Sequence, residues 1–206
     1  MTGPALLSSV SAQLVCIGAS TGGTEAVKVV LQGLPAGMPP VLIVQHMPEM
    51  FTPAFARRLD GMCALTVKEA ADGEPLQRGC AYVAPGHSHL AVHRASAGLQ
   101  TRLLHDEPVN RHRPSVDVLF RSVAALCGTA AVGVLLTGMG KDGADGLLQM
   151  RRQGAWTIAQ DQDSCVVYGM PREAAAIGAA CEVVALDRIA AHVLRRLGLS
   201  ACEAAG

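Results

Sequence analysis

Three side chains that together could perform nucleophilic catalysis each follow a short apolar run of the chain. Ser20 lies in "GASTGG", His46 in "QHMPEM" and Asp142 in "TGMGKDGADG". A serine hydroxyl becomes an effective nucleophile when an imidazole accepts its proton, and a carboxylate on the other ring nitrogen fixes the tautomer. The glycines beside Ser20 would let a substrate approach the backbone, where free N–H groups at the start of a helix could hold an oxyanion. The set therefore indicates acyl transfer at a serine.

Each of the three residues also has an ordinary structural interpretation. Ser20 or Thr21 could be the N-cap of the next helix. His46 could be a loop histidine bonded to the backbone, and Asp142 in "KDG" fits a turn. Taken singly, these interpretations are the stronger ones. The shared position of the three residues at strand ends favours a common site.

The elements that must position these residues are strands that alternate with helices from Gln13 onward. The strands before the three candidates are expected in "LVCIG", "VLIV" and "AVGVLLTG", and segments of helical periodicity lie between the strands. This alternation predicts an α/β fold, a doubly wound, mostly parallel sheet with helices on both faces. In such sheets ligands bind beyond the carboxyl ends of the strands, where the three loops lie.

Residues 64–105 interrupt this alternation. The segments "ALTVKEA" and "CAYVAP" flank the turn "ADGEPLQRG", and "HLAVHR" and "LQTRLLH" follow, so we expect a short antiparallel insertion. Pro114 is expected to open the next helix, and Asp187 to cap the last one. The predicted division of the chain is a tail or linker remnant over 1–12, a catalytic domain over 13–199 and a C-terminal tail over 200–206.

The composition restricts the classes of function. The 206 residues carry 17 Lys and Arg against 17 Asp and Glu, which gives no overall field for nucleic acid or a membrane surface, and aromatic residues make up only 3%. There is neither an apolar run of transmembrane length nor a signal peptide, so we expect a cytoplasmic protein without membrane insertion. The seven cysteines form no C-x-x-C pair, which argues against a disulfide framework and a cysteine zinc cluster.

A second glycine motif indicates a different function. Gly138, Gly140 and Gly143 spell G-x-G-x-x-G between an expected strand and helix, and Asp161 follows near the offset typical of a dinucleotide-binding site. Against this hypothesis, the motif comes late in the chain, and the two charged side chains inside it would crowd a pyrophosphate. A Walker-type phosphate loop fits less well, because a leucine stands where its first glycine should be.

A histidine pattern and an arginine pair are further candidates. His87, His89 and His93 form H-x-H-x-x-x-H, and on one strand all three would face the same side. A metal site is conceivable there, but no Cys, Asp or Glu joins them at ligand spacing, so surface histidines on a hairpin are the favoured interpretation. Arg111 and Arg113, in the loop "NRHRPSVD", could rim the pocket.

Seven segments of the chain resemble the catalytic domain of the chemotaxis protein-glutamate methylesterase family, CheB. They follow the family order from about Gln13 to Leu197 and are "IGASTGG", "QHMP", "AYVAPG", "HRPSVDVLF", "LLTGMGKDGADGL", "GAWTIAQD" and "CVVYGMPREA". Together they cover nearly the whole chain and are far more specific than a single glycine motif.

The resemblance implies a serine esterase that hydrolyses glutamate γ-methyl esters on the cytoplasmic helices of chemoreceptors and releases methanol. Deamidation of receptor glutamines is implied as a second activity. The resemblance matches Ser20 to the nucleophile, His46 to the general base and Asp142 to the carboxylate that orients the histidine. It implies neither a cofactor nor a metal.

The resemblance also suggests where a substrate would bind. It places the Met139 backbone N–H near the oxyanion and gives Thr21 a role beside the nucleophile. Gly22 is assigned to the same oxyanion and substrate region, and Arg113 is expected to dock the substrate.

Two features depart from the family pattern. Family members usually carry an N-terminal phosphoacceptor receiver domain, whereas about a dozen residues precede the first expected strand here. We therefore expect no phosphorylation switch within this chain, constitutive activity and a monomer. His87 follows "APG" where an acidic residue is common, which puts the charge of the pocket rim in question.

A nucleotide-binding module and a catalytically silent receptor-binding adaptor remain as alternative hypotheses.

Overall fold

The computed structural model of the protein describes residues 13–199, and the expected tails, 1–12 and 200–206, lie outside the described residues. Its strands are β1 (Leu14–Ala19), β2 (Val41–Gln45), β3 (Thr66–Glu69), β4 (Cys80–Val83), β5 (His89–Ala95), β6 (Gly98–Leu104), β7 (Ala131–Leu135), β8 (Trp156–Gln160) and β9 (Glu182–Val184). Its helices are α1 (Gly23–Gln32), α2 (Thr52–Asp60), α3 (Val116–Cys127), α4 (Ala144–Arg152), α5 (Met170–Ala176) and α6 (Leu186–Leu197). None of these helices is both long and apolar enough to cross a membrane.

Seven strands form one parallel sheet in the order β3-β4-β2-β1-β7-β8-β9. The central strand β1 pairs with β2 through Ala19 and Gln45, and with β7 through Gly18 and Leu135. The chain leaves β1 towards β2 on one side and later returns to β7 on the other, so the winding reverses at β1. Ligands bind at such a reversal, which selects the crevice beyond the carboxyl ends of β1, β2 and β7.

Alternate residues of the central strand enter two separate cores, because successive side chains of a strand point to opposite faces. Val15 and Ile17 pack with α1, α2 and α6, whereas Leu14 and Cys16 pack with α3, α4 and α5. All four side chains are fully buried. Strands covered on both faces are typical of a doubly wound sheet, and the predicted fold class is confirmed.

The expectation that residues 64–105 form antiparallel strands is wrong for β3 and β4. Both belong to the main sheet and run parallel to each other, with Val67 opposite Ala81. The intervening residues 70–79 are long enough to carry the chain back to the start of the sheet, which parallel neighbours require and a tight hairpin does not. Within the described chain, only β5 and β6 form an antiparallel pair, as a separate two-stranded sheet.

Helix α3 begins later than the sequence predicts, and helix α6 begins earlier. Helix α3 begins at Val116, two residues after Pro114. Helix α6 begins at Leu186, so Asp187 lies in its first turn and is not its cap. The N–H of Leu186 donates to Ser164 Oγ at 3.0 Å. A side chain from a distant loop therefore satisfies the start of α6, which the local sequence cannot reveal.

Candidate active site

Ser20 is the first residue after β1, at the middle of the sheet edge. Its N–H donates to the carbonyl of Thr137 at 3.0 Å, which ties the loop after β1 to the loop after β7. The N-cap of α1 is Gly22, whose φ of 80° lies in the left-handed region that favours glycine. The interpretation of Ser20 or Thr21 as the cap is therefore wrong, and the half-buried Ser20 hydroxyl is available for chemistry.

Parallel pairing brings Ser20 and His46 out of the sheet side by side. Ala19 and Gln45 are register partners at the ends of β1 and β2, and the next residue of each strand is a candidate. The N–H of His46 donates to the Ala19 carbonyl at 3.0 Å, so the pairing continues one residue past the strand. Because adjacent strands are about 4.8 Å apart, the two side chains start within reach of each other.

The imidazole of His46 is bonded to the carboxylate of Asp142, with Nε2 2.8 Å from Oδ2. The two side chains are 7% and 1% exposed, so little water competes for this contact. When Nε2–H donates to the carboxylate, Nδ1 keeps its lone pair. That atom is buried and has no hydrogen-bond partner within residues 13–199, the Ser20 hydroxyl included. Nδ1 is therefore the ring atom free to accept a proton.

Asp142 belongs to the loop between β7 and α4, and its carboxylate lies against the N-terminus of α3. Its carboxylate accepts hydrogen bonds from Ser115 Oγ at 2.7 Å, the Val116 N–H at 2.7 Å and Asn110 Nδ2 at 2.8 Å. Burial raises the pKa of this carboxyl, but the hydrogen bonds from His46, Asn110 and Ser115 outweigh it and lower the pKa from 3.8 to about 2. Asp142 is thus ionised at neutral pH, the state that orients an imidazole and stabilises its protonated form.

The low pKa of Asp142 predicts a loss of stability in acid. A folded pKa below the unfolded value adds stability that is fully present above pH 3.8 and is lost as the pH falls through about 2. The difference corresponds to about 2 kcal/mol of the free energy of unfolding. Urea unfolding at a series of acidic pH values should show this decline in the native protein and a smaller one in Asp142→Asn. Parallel declines in the two proteins would contradict the prediction.

A second buried carboxylate, Asp117, lies beside Asp142. Asn110 Nδ2 donates to both, at 2.7 Å from Asp117 Oδ2 and 2.8 Å from Asp142 Oδ1. Burial raises the pKa of Asp117, and the charge of Asp142 adds to the rise, although the Gly146 N–H donates to Asp117 at 2.7 Å. Because Gly146 lies in the first turn of α4, Asp117 occupies the helix end where a pyrophosphate would bind. This contact argues against the dinucleotide hypothesis.

Asn110, Ser115 and Asp117 are site residues that the sequence did not reveal. All three lie within the segment "NRHRPSVD", in which only the arginines were considered as candidates. A serine before a helix is a usual N-cap, and this was the available signal at Ser115. The partner of its hydroxyl is Asp142, 27 residues away, and no local pattern specifies such a contact.

A second imidazole, that of His112, stacks on the ring of His46. The ring centroids are 3.7 Å apart and the planes differ by 10°. Burial lowers the pKa of His112, and the neighbouring His46 lowers it further. His112 is therefore neutral near pH 7, so it packs against His46 without opposing the positive charge that proton transfer would create there.

Thr21 and Met139, the predicted oxyanion donors, each have a backbone N–H without an acceptor in the part of the chain that the structure describes. Both residues are exposed, Met139 to 72%. A groove of about 530 Å³ begins at Met139 and continues past Tyr168 and Arg172. The free N–H of Met139 beside this open groove suits a substrate that arrives from solvent, and the role of both residues as oxyanion donors stays a prediction.

A sequence model of the CheB methylesterase family matches residues 15–193 of this chain. The chain belongs to the CheB methylesterase family. It is 60% identical over 184 residues to protein-glutamate methylesterase/protein-glutamine glutaminase 1 of Dechloromonas aromatica, and the aligned region covers 89% of this chain and 53% of that protein. It is 60% identical over 189 residues to the protein-glutamate methylesterase/protein-glutamine glutaminase of Bordetella bronchiseptica, covering 91% and 54%. The chain spans about half the length of these curated relatives.

A solved CheB structure has the same fold. The crystal structure of the Thermotoga maritima CheB methylesterase catalytic domain superimposes with a TM-score of 0.88 at 38% sequence identity. The match covers 90% of this chain and 99% of that one. The family resemblance of the sequence segments is thereby confirmed.

Arg113 of this CheB family member lies beside the site with its guanidinium bonded to a neighbouring loop. Its Nη1 donates to the carbonyls of Asp106 at 3.1 Å and His105 at 3.4 Å. The residue is exposed and directly follows His112, which stacks on His46. Substrate docking by Arg113 would require these loop bonds to be exchanged, and the role stays a prediction.

The three histidines of H-x-H-x-x-x-H do not face one side of a strand. His87 precedes β5, is exposed and lies 3.4 Å from Glu49, whereas His89 is buried and accepts a hydrogen bond from the Ser115 N–H at 3.0 Å. His93 is exposed near the far end of β5. Within residues 13–199, no group of three His, Cys, Asp or Glu side chains is arranged to hold a metal ion.

Gly138 allows the loops after β1 and β7 to approach closely. A Cβ at this position would lie 2.7 Å from Ser20 Cβ and 2.3 Å from Met170 Sδ. Relief of the first clash must displace Ser20, so we expect Gly138→Ala to lower kcat for acyl transfer at Ser20 ~10- to 100-fold, as a displacement of about 1 Å does elsewhere.

Gly37→Ala is the matched control for Gly138→Ala, because a Cβ at Gly37 meets no atom within 4 Å. Its activity should equal that of the native protein. Native kcat in Gly138→Ala would show that the close approach of the two loops is not needed.

Proposed function

We propose that this chain is a serine esterase that hydrolyses glutamate γ-methyl esters on the cytoplasmic helices of chemoreceptors and releases methanol. The observation that carries the proposal is the 2.8 Å contact between His46 and Asp142 directly beside Ser20, at the edge of the sheet where ligands bind. Membership of the CheB methylesterase family supports it.

In the first step, His46 Nδ1 accepts the Ser20 proton as the hydroxyl oxygen attacks the ester carbonyl carbon. The ring nitrogen Nε2 keeps its hydrogen and its bond to Asp142, whose negative charge stabilises the imidazolium. The modest adjustment needed is a rotation of the Ser20 side chain towards the neighbouring ring. Such contacts commonly tighten only when substrate is bound.

The developing oxyanion is held by backbone N–H groups, with Thr21 and Met139 as the proposed donors. One such donor typically contributes ~100- to 1,000-fold in rate. The tetrahedral intermediate collapses when the imidazolium of His46 protonates the departing methoxide, and methanol leaves. The product of this half-reaction is a glutamyl ester of Ser20.

Water completes the cycle. His46 removes a proton from water as its oxygen attacks the acyl-enzyme carbonyl, and then returns the proton to Ser20 Oγ as the glutamate carboxylate is released. Deamidation of a glutamine would use the same acyl-enzyme, with ammonia in place of methanol as the leaving group. Both activities stand in the names of the two relatives. We expect the chain to act as a monomer.

Methanol release from a chemoreceptor cytoplasmic fragment that carries glutamyl methyl esters tests the proposal. We expect methanol by gas chromatography and a loss of one methylene per site by mass spectrometry. The same fragment with free glutamates is the control and should release none. Binding of the methylated fragment without turnover would instead favour the adaptor, and the absence of both binding and turnover would overturn the proposal.

A further inference from the structure

Gln45 is a buried polar side chain at the end of an otherwise apolar strand. It is 4% exposed and follows four fully buried apolar residues, 41–44. Its Nε2 donates to the Ser20 carbonyl at 2.9 Å and to the His46 carbonyl at 3.1 Å. One amide group thus joins the main chains of the proposed nucleophile and the proposed base.

The other atom of this amide argues against a purely structural role. Gln45 Oε1 is buried and has no hydrogen-bond partner within the described residues. An unpartnered buried acceptor lowers stability, which offsets much of what the two hydrogen bonds from Nε2 contribute. Gly23 makes room for the amide, because a Cβ there would lie 2.1 Å from Oε1. The net contribution of this amide to stability is therefore small, whereas its position between the two loops is specific.

The Ser20 carbonyl determines the direction of the Thr21 N–H. The two groups belong to one trans peptide, so they point in opposite directions. The carbonyl accepts hydrogen bonds from Gln45 Nε2 at 2.9 Å and from the Gly23 N–H at 2.8 Å. With the carbonyl fixed towards the buried amide, the Thr21 N–H is turned the other way and has no acceptor in the described chain.

The second proposed donor has the same arrangement. The Gly138 carbonyl, in one peptide with the Met139 N–H, accepts hydrogen bonds from the N–H groups of Gly169 at 3.1 Å and Met170 at 2.8 Å. Each proposed oxyanion donor thus belongs to a peptide whose carbonyl, on the opposite side, accepts two hydrogen bonds. At Met139 the backbone alone provides the anchor, whereas at Thr21 a side chain contributes.

We propose that Gln45 is a positioning residue for the reaction, which aims the Thr21 N–H at the oxyanion and fixes Ser20 relative to His46. The inference rests on the proposed function, since it assumes acyl transfer at Ser20. Gln45 touches no reacting atom. Its contribution is to preorganise the donor, so that no rearrangement is needed when negative charge develops.

Gln45→Met tests the inference, because methionine has a similar volume and no donor. We expect kcat to fall ~10- to 100-fold, with KM unchanged, for both p-nitrophenyl acetate and the methylated receptor fragment. The reason is that a misdirected N–H stabilises the oxyanion less, so part of the rate that one donor contributes is lost. The melting temperature should change little, because removal of the unpartnered oxygen offsets the loss of the two hydrogen bonds from Nε2. Native kcat in a folded Gln45→Met protein would overturn the inference.

Gln45→Glu provides a second test if the methionine variant fails to fold. A buried carboxyl has a raised pKa and can donate a hydrogen bond only when protonated. Its kcat relative to the native enzyme should therefore rise as the pH falls. A ratio that does not change with pH would contradict the inference.

Thr157→Val is the matched control for loss of a buried hydrogen bond. Thr157 is fully buried in β8, and its Oγ1 donates to the Ala179 carbonyl at 2.7 Å, away from the carboxyl end of the sheet. It should lower stability and leave kcat unchanged. If Thr157→Val lost as much kcat as Gln45→Met, the effect of the Gln45 substitution would be explained by general destabilisation. Hydrolysis of p-nitrophenyl acetate without methanol release would reject the proposed substrate and leave the test of Gln45 valid.

Discussion

Ser20→Ala is expected to abolish measurable hydrolysis of glutamyl methyl esters, with a loss of kcat on the order of a million-fold, as in other serine hydrolases. Alanine has no oxygen that can form the acyl-enzyme at this position. The main-chain bonds that hold this residue, to the Thr137 carbonyl and from the Gly23 N–H, remain available to alanine. We therefore expect the variant to fold and to bind the methylated receptor fragment with native affinity.

The matched control is Thr24→Ala, which removes an exposed hydroxyl from the first turn of α1. Its methanol release should equal that of the native protein. Mass spectrometry of the native enzyme with p-nitrophenyl acetate should show one acetyl group on Ser20, and none on the alanine variant. Equal rates of methanol release from the native protein and Ser20→Ala would eliminate the serine mechanism.

Asp142→Asn is expected to lower kcat about 10⁴-fold, the cost of a wrong imidazole tautomer in a related arrangement. An asparagine amide can donate to the ring nitrogen that now donates to Asp142, which would leave the proton of His46 on Nδ1. His46 then cannot accept the Ser20 proton. The loss should be smaller at high pH than for Ser20→Ala, because the nucleophile is still present and its deprotonated fraction grows.

Asp145→Asn is the control for loss of a carboxylate from the same segment, since Asp145 is exposed in the first turn of α4. It should leave both kcat and stability unchanged. The double variant of Ser20→Ala with Asp142→Asn should be no less active than Ser20→Ala alone, because residues that act as a unit are not additive. Native kcat in a folded Asp142→Asn protein would show that Asp142 does not orient His46.

The sequence predicted the loops of the site because the relevant patterns are local. Apolar runs followed by polar loops located Ser20, His46 and Asp142, and the rule for parallel sheets placed all three at one edge. The contact between His46 and Asp142 joins residues 96 positions apart, yet it needed only the correct sheet type to be anticipated. The family segments added roles for these residues that no spacing could supply.

The strand direction in residues 64–105 shows where local patterns fail. The segment between β3 and β4 contains turn residues, and turn residues are shared by hairpins and by crossovers. The decision depends on whether the edge of the sheet beyond β2 offers a place for β4 and then β3. That is a property of the assembled sheet.

The sequence by itself determined the alternation of strands and helices, the family and the three loops that carry the candidate residues, because burial and turn preferences act over a few neighbouring positions. Only the tertiary structure decided which ring nitrogen of His46 is free, that Asn110 and Ser115 surround Asp142, and that Gln45 joins the loops of Ser20 and His46. These features depend on the hydrogen bonds of the buried interior, where most polar atoms are paired by whatever the packed chain brings within about 3 Å.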